Sequence, residues 1–363
     1  MDSQPCLKNL KTPKIPRSPE EINRIYNDHF HSIHREDEVH PSSFVEDDMF
    51  QIYYPKTSGA LGKIKRQFIL SIFDAFVEVV PYDKEQYDMI MHQIMFNDKN
   101  SFLASNHSTF ANLGIIAREL YKYAHISGHE EKKDKVYTFL APSLTTQKQW
   151  YILSPISHLL KTFTINPRSQ IDGLKYEIQQ ARNGFKDEVA SHAKNQWNMF
   201  ILALGGTRDV LQRGIHGEIE KIYMERNLNV KVSNKFLRSF IEQGDSLVLE
   251  GMNETAIKRP DKTDPKNHTR TKGKAFIDTE LLSKEDALDA IRSNTVLDRI
   301  AMLTKDKNGN QIGQVVNNEE MKQIKHEMNK HPVTIETYPR QDFDDDIIKM
   351  TTRGLFNIFK NVL

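Results

Sequence analysis

The stretch "SFLASNHSTFANLGIIAREL" (residues 101–120) joins a short apolar run to a helical pattern through the turn Asn106-His107-Ser108-Thr109. Residues 101–105 are typical of a buried strand, because the run is short, mostly apolar and ends at turn-forming residues. After the turn, apolar residues recur at the spacing of one helix face, namely Leu113, Ile116, Ala117, Leu120 and Ala124. The stretch therefore predicts a strand, a turn and a helix.

The same alternation continues along the chain. Further strands are predicted at 135–142, 161–168, 199–206 and 246–252, with helices at 145–160 and from residue 170 between them. Because strands that alternate with helices usually become parallel neighbours, the sequence predicts an α/β fold with a mixed, mainly parallel central sheet flanked by helices. Before these elements, Ser18, Pro19 and Glu21 are typical of a helix start, so the N-terminal region is predicted to be helical.

Two segments are amphipathic. Residues 61–80 carry apolar residues at helical spacing and three cations near the start, and they are predicted to be a helix that either packs on the core or lies on anionic lipid. The tail 353–363 sets apolar residues against Arg353 and Lys360, so it can dock on the body or touch lipid. The sequence leaves both alternatives open.

The organisation that follows has four parts. Residues 1–60 form a lead-in and helix, 61–257 the α/β core, 258–274 a basic mobile loop and 275–363 an α+β C-terminal extension. Within the extension, Asn308-Gly309 lies between two strand-like runs at 301–316 and predicts a hairpin.

Composition excludes several classes of protein. The 363 residues include 50 Lys plus Arg against 49 Asp plus Glu, a formal charge of +1, so no global field attracts nucleic acid. The basic loop lacks interleaved aromatic residues, which makes it a weak nucleic-acid candidate. The single cysteine, Cys6, excludes an intrachain disulfide and suits the reducing cytoplasmic side. Apolar runs are too short to span a membrane, and no metal-ligand cluster is evident.

His107 is the candidate base at the predicted sheet edge. The carboxyl ends of parallel strands gather ligands, and here they bring His107, Arg168 and "GGTR" (205–208) together. The ordinary pKa of histidine lies near neutrality, so His107 can take a proton, and Asn112 lies in the first turns of the next helix, where it can orient the ring. Locally, His107 can equally be an exposed residue beside a Ser108 cap, and "GGTR" a tight turn.

The order of three motifs adds a resemblance. "NHSTFAN", "FTINPR" and "FILALGGTRD" follow one another over about residues 100–255 and resemble the glycerolipid acyltransferase superfamily, which includes glycerol-3-phosphate and lysophosphatidic acid acyltransferases. The positions that match the three motifs are Asn106, His107 and Thr109, then Arg168, then Gly206, Thr207 and Arg208.

The resemblance implies a function. It implies transfer of a fatty acyl group from acyl-CoA or acyl carrier protein to a hydroxyl of a glycerol-phosphate or lysophospholipid acceptor, in phospholipid biosynthesis. His107 would be the general base, oriented by Asn112, while Gly206, Thr207, Arg208 and Arg168 would bind the acceptor phosphate. The co-substrate would be the only cofactor, and the protein would lie on the cytoplasmic face of a membrane as a peripheral protein.

Three departures favour an alternative. Asn112 stands where the family has aspartate, Gly205 stands where it has glutamate, and the strand at 246–252 lacks the usual proline. In a related triad, replacing the carboxylate by its amide costs about 10⁴ in turnover, although Cys-His-Asn sites are active. The alternative is a non-catalytic lipid- or carrier-binding relative of the same fold at a membrane surface.

Overall fold

The computed structural model describes residues 60–108, 111–140, 161–164, 197–205, 209–214, 218–226, 228–242, 246–254 and 272–330, and the short pieces 18, 20–21, 24–25, 52–53, 176–177 and 335–336. The predicted helix at 145–160, most of the helix predicted from 170, residues 258–271 of the basic loop and the tail 353–363 lie outside the described residues. At the predicted N-terminal helix start, the Glu21 amide donates to the Ser18 hydroxyl over 3.3 Å.

The central sheet has eight described strands, which are β1 Ile52–Tyr53, β2 Val77–Pro81, β3 Ser101–Ser105, β4 Val136–Leu140, β5 Lys161–Thr164, β6 Met199–Ala203, β9 Ser246–Glu254 and β10 Gly273–Leu282. Their order in the sheet is β1-β5-β4-β6-β3-β9-β10-β2. Neighbours are parallel from β5 through β4, β6 and β3 to β9 and again between β10 and β2, whereas β1–β5 and β9–β10 are antiparallel. The prediction of a mixed, mainly parallel sheet is thus confirmed.

Helices cover both faces of this sheet. Leu103 and Phe102 are neighbours on β3 and point to opposite faces, so each contributes to a different core. The Leu103 side packs against three helices, α1 Ala60–Phe76, α2 Lys84–Phe96 and α3 Ala111–Ile126. The Phe102 side packs against α4 Leu228–Ile241, α5 Lys284–Ser293 and α6 Val296–Leu303. A 3₁₀ helix, Glu130–Lys135, leads from α3 into β4.

The quoted strand, turn and helix are confirmed. β3 is buried along its whole length because both of its faces are covered, which accounts for its unbroken apolar run. All five apolar residues of the predicted helix face are buried in α3. At Gly114, an added Cβ would lie 2.1 Å from Cζ of Phe73, so α3 approaches α1 closely at this point.

The helix predicted over residues 61–80 is too long. α1 ends at Phe76, and Val77–Pro81 form β2, which pairs in parallel with β10. Val77, Val79 and Val80 are β-branched and suit a strand better than a helix end, provided that a partner strand is present. That partner comes from residues almost 200 positions later, which helical periodicity does not report.

A second, smaller sheet has four described strands, which are β7 Val210–Arg213, β8 Ile219–Glu225, β11 Gly313–Val316 and β12 Ile335–Glu336. Their order in the sheet is β11-β8-β7-β12. The final described helix is α7 Asn318–Lys330. β7 and β8 are antiparallel, whereas β11 runs parallel to β8.

Two C-terminal predictions need correction. The sequence places Gly273 and Lys274 in the basic loop, but they begin β10, which belongs to the central sheet. The predicted hairpin at Asn308-Gly309 is a turn closed by one antiparallel bridge, between Lys305 and Gln311. The residues before the turn complete α6, and β11 after the turn pairs with β8. Gly309 still supplies the positive φ, 86°, that such a turn requires.

Candidate functional site

The candidate site lies where β3 ends. In the parallel register, Ser105 stands beside Ala203 of β6 on one side and Glu250 of β9 on the other. The carboxyl ends of β3 and β6 therefore meet at one edge of the sheet, and β9 runs on past it. This is the edge at which open α/β sheets bind ligands.

Asn106 extends the sheet beyond β3 through its side chain. Its amide donates to the Met252 carbonyl over 2.9 Å, and its Oδ1 accepts from the Met252 N–H over 2.8 Å. Asn106 is 3% exposed. Since both bonds replace main-chain pairing that a further strand residue would make, Asn106 fixes where the chain turns away from β9.

His107 is the partly exposed residue between buried Asn106 and buried Ser108. Its main-chain N–H donates to Oδ2 of Asp209 over 2.7 Å, and its carbonyl accepts from the Asp209 N–H over 2.8 Å. The predicted base therefore lies at the sheet edge with its main chain held on both sides by Asp209.

Ser108 and Asn112 form the inner part of the turn. The Ser108 hydroxyl donates to Oε2 of Glu254 over 2.5 Å, and the Asn112 side-chain amide lies 3.4 Å from the same hydroxyl. One contact of Asn112 is therefore with Ser108. Its predicted contact with the His107 ring stays a prediction.

The remaining predicted site residues are Thr109, Arg168, Gly206, Thr207 and Arg208, and all lie outside the described residues. The chain on either side of 206–208 is described. The Leu204 N–H donates to the Ser105 carbonyl over 3.4 Å, and Asp209 bonds to His107. The Gly-Thr-Arg segment is thus flanked in the chain by Leu204 and Asp209, which hydrogen-bond to Ser105 and His107.

Burial governs the charge of two acids near the turn. Burial raises the pKa of Asp209 to about 7, although hydrogen bonds from the His107 main chain and the Asn106 side chain oppose the shift. Burial, followed by the charges of Glu119 and Glu254, raises the pKa of Glu250 to about 8. At neutral pH, Asp209 is therefore close to its midpoint and Glu250 is mostly protonated.

Sequence reasoning missed these acids. Asp209 directly follows "GGTR", and this adjacency to a motif was its available signal. Glu250 and Glu254 lie two and six residues after Val248 on the same strand, so alternation places all three on one face. Glu119, seven residues after Asn112, lies on the same stripe of α3. We call Glu119, Glu250 and Glu254 the buried acid cluster; each is 2% exposed.

A surface groove lies on α1 and α3, apart from the turn residues. Among the described residues, no group of three or more His, Cys, Asp or Glu is suited to a metal ion. A groove of about 580 Å³ lies between α1, α3 and the 3₁₀ helix, and its lining includes Arg118 and Lys133. Both cations are paired, with Asp74 over 2.5 Å and Glu130 over 2.6 Å, so we assign no ligand to it.

Comparison of the chain with models of known protein families gives no match, and comparison with curated protein sequences gives none either. The acyltransferase resemblance therefore depends on the three motifs and their order. Within the described residues, no helix has both the length and the apolar character needed to cross a membrane.

Proposed function

We propose that this chain is an acyltransferase with an acyltransferase-like fold, and that it transfers a fatty acyl group from a thioester to the hydroxyl of a phosphate-bearing lipid precursor. The observation that supports this most is the position of His107. It is partly exposed at the carboxyl end of β3, and Asp209, the residue after the Gly-Thr-Arg motif, is bonded to it. Two of the three matching motifs thus come from neighbouring parallel strands.

His107 takes the proton of the acceptor hydroxyl as the hydroxyl oxygen attacks the thioester carbonyl. The tetrahedral intermediate then collapses, the carbon–sulfur bond breaks, and the departing thiolate takes the proton back from the imidazolium. The products are an ester and a free thiol, either coenzyme A or the thiol of acyl carrier protein. No covalent intermediate on the protein is needed.

The acceptor phosphate is assigned to Arg208, Thr207 and Gly206, with Arg168 as a second cation. This part of the proposal rests on sequence positions, because guanidinium groups and main-chain amides are the usual partners of phosphate. A lipid acceptor is most accessible at a membrane surface, and the single cysteine suits a cytoplasmic location. The amphipathic segments are the candidates for membrane contact.

One observation favours the non-catalytic alternative. The amide of Asn112 lies beside the hydroxyl of Ser108, which in turn donates to Glu254. In this arrangement, Asn112 belongs to a buried polar network. Gly205 also removes the acidic side of the third motif. A chain with these two changes can keep a lipid- or carrier-binding surface without transferring acyl groups.

Thiol release distinguishes the two functions. A panel of acyl-CoA and acyl carrier protein donors would be incubated with wild-type protein, with and without glycerol 3-phosphate or lysophosphatidic acid. An acyltransferase releases thiol only when the acceptor is present. The variant Asn112→Asp restores the family's carboxylate, and it should accelerate release if Asn112 acts through His107.

The opposite outcome is equally specific. If neither wild type nor Asn112→Asp releases thiol with any donor and acceptor, while the wild type binds vesicles that contain the acceptor lipid, the non-catalytic alternative replaces the proposal. Release that does not depend on acceptor would indicate a thioesterase instead.

A further inference from the structure

Asp209 contacts the turn that carries His107 in three ways. Its carboxylate accepts from the His107 main-chain N–H, its own N–H donates to the His107 carbonyl, and the Asn106 side chain lowers the pKa of the carboxylate. The first two distances are 2.7 and 2.8 Å. One residue thus engages both hydrogen-bonding groups of the His107 main chain.

This arrangement restrains the direction of the imidazole. The N–H and the carbonyl of a residue belong to the two peptide planes that meet at its Cα, so fixing both limits φ and ψ together. The Cβ of His107 then has a defined direction, and the ring is left with its side-chain rotations. Hydrogen bonds to an ionised acceptor are shorter and stronger than neutral ones, so the carboxylate is a good restraint while it is charged.

Asp209 is buried, so its ionised form carries a desolvation cost. The residue is 3% exposed, and a carboxylate in such surroundings costs free energy unless it is hydrogen-bonded. Among the described residues, the titratable group that it contacts is His107, through the main chain, and Asn106 is its other polar partner. A residue needed only to fill space here would be apolar.

We infer that Asp209 is a positioning residue, which holds the main chain of His107 and thereby aims the imidazole at the acceptor hydroxyl. The inference deepens the proposed function and rests on it, since it takes His107 as the base. Asp209 directly follows the Gly-Thr-Arg motif, so its hydrogen bonds to His107 link this motif to the Asn-His motif.

Kinetics of two variants test the positioning role. Asp209→Asn keeps an oxygen that can accept from the His107 N–H, whereas Asp209→Ala removes it. We expect the alanine variant to lose about 10- to 100-fold in kcat with little change in KM, because a misdirected base slows chemistry more than binding. The asparagine variant should keep most of the activity. Asp298→Ala, which removes the ion-pair partner of Arg226 far along the chain, is the matched control for lost stability.

A second measurement does not require activity. In protein labelled with ¹⁵N-histidine, the His107 amide signal is assigned by its disappearance in His107→Gln. In the wild type, the shift of this signal should follow the ionisation of the bonded carboxylate, with a midpoint near pH 7. In Asp209→Asn the part of this shift that comes from the carboxylate should vanish. Faster hydrogen exchange of the His107 amide is expected in Asp209→Ala.

The two measurements separate the inference from the proposed function. If wild-type protein transfers acyl groups but Asp209→Ala retains full kcat, or if the His107 amide signal is the same in all variants, the positioning role is refuted. If wild type transfers nothing, the acyltransferase proposal and the catalytic part of the inference fall together, and the amide signal alone decides whether Asp209 holds His107.

Discussion

Three consecutive residues at the end of β3 have three different environments. Asn106 is buried and bonds to the Met252 main chain, His107 is partly exposed, and Ser108 is buried and donates to Glu254. The sequence predicts His107 because its residue type and its place at a strand end suggest chemistry. It does not predict the partners, since Asp209 and Glu254 lie 102 and 146 residues away from the residues that they bond.

Glu250 should make stability depend on pH. Its folded-state pKa, about 8, lies above its ordinary value of 4.5, so between these values the unfolded chain binds fewer protons than the folded protein. The free energy of unfolding therefore falls as the pH rises through this range and levels off above it. Glu250→Gln removes this contribution, and the stability lost between pH 5 and 8 should shrink by a few kcal/mol, since one pKa unit corresponds to about 1.4 kcal/mol.

Urea denaturation at several pH values measures this difference. Glu78→Gln is the control, because it makes the same substitution at an exposed glutamate on β2. Asp209 adds to the wild-type slope in the same direction between 3.8 and about 7, so some pH dependence remains in Glu250→Gln. Equal slopes for wild type and Glu250→Gln would contradict the raised pKa.

Asn106→Ala should destabilise the fold independently of any activity. The change leaves the N–H and the carbonyl of Met252 without their side-chain partner in a buried place, which costs about 2–4 kcal/mol in the free energy of unfolding. Chemical denaturation provides the measurement, with the exposed Asn318→Ala as the control. A loss of less than about 0.5 kcal/mol, the range of ordinary surface changes, would show that Asn106 does not hold the turn.

At the scale of elements, the sequence predicts features that depend on local patterns but not those that depend on long-range strand pairing. The boundaries of β3 and the buried face of α3 follow from a short apolar run and from helical spacing, and the structure confirms both. The end of α1 does not follow, because Val77–Pro81 become a strand only through pairing with β10. Likewise, residues 301–303 resemble a strand but complete α6. This end of α6 packs closely on β9, since an added Cβ at Gly251 would lie 2.3 Å from the Leu303 main chain.

The contact between α1 and α3 gives a prediction for a helix pair. Gly114→Ala should destabilise the protein by about 1–3 kcal/mol, although alanine is the better helix former, because the new Cβ overlaps the buried ring of Phe73. Phe73→Leu provides space for that methyl group. The double variant should therefore be more stable than the sum of the two single changes predicts, as a double-mutant cycle in thermal or urea unfolding would measure. Additive losses would place the strain elsewhere.

At the scale of the molecule, the sheet order explains why the site is where it is. β3 lies between β6 and β9, so its carboxyl end receives the turn after β6 on one side and the acids of β9 on the other. The sequence predicts that such strands alternate with helices and that their ends converge. It does not predict that β10, from beyond the basic loop, joins the same sheet, because antiparallel pairing across a long connection leaves no local pattern.

Membrane contact is a prediction for the whole molecule. The tail 353–363 has an apolar set with two cations, so its deletion should reduce sedimentation with vesicles that contain anionic lipid. The deleted protein should keep the wild-type free energy of unfolding if the tail serves lipid binding. A loss of stability with unchanged sedimentation would instead show that the tail docks on the body of the protein.

The most direct test of the central claim is the transfer of an isotope-labelled acyl chain from its thioester to the acceptor, measured by mass spectrometry of the ester product. Wild type, His107→Ala and His125→Ala are compared, the last being a histidine on α3 whose side chain is 74% exposed. We expect labelled product with wild type and His125→Ala, and a loss of about 100-fold or more with His107→Ala, the range that a general base supplies. Equal product from all three proteins would show that His107 is not the base, and no product from wild type would contradict the acyltransferase assignment itself.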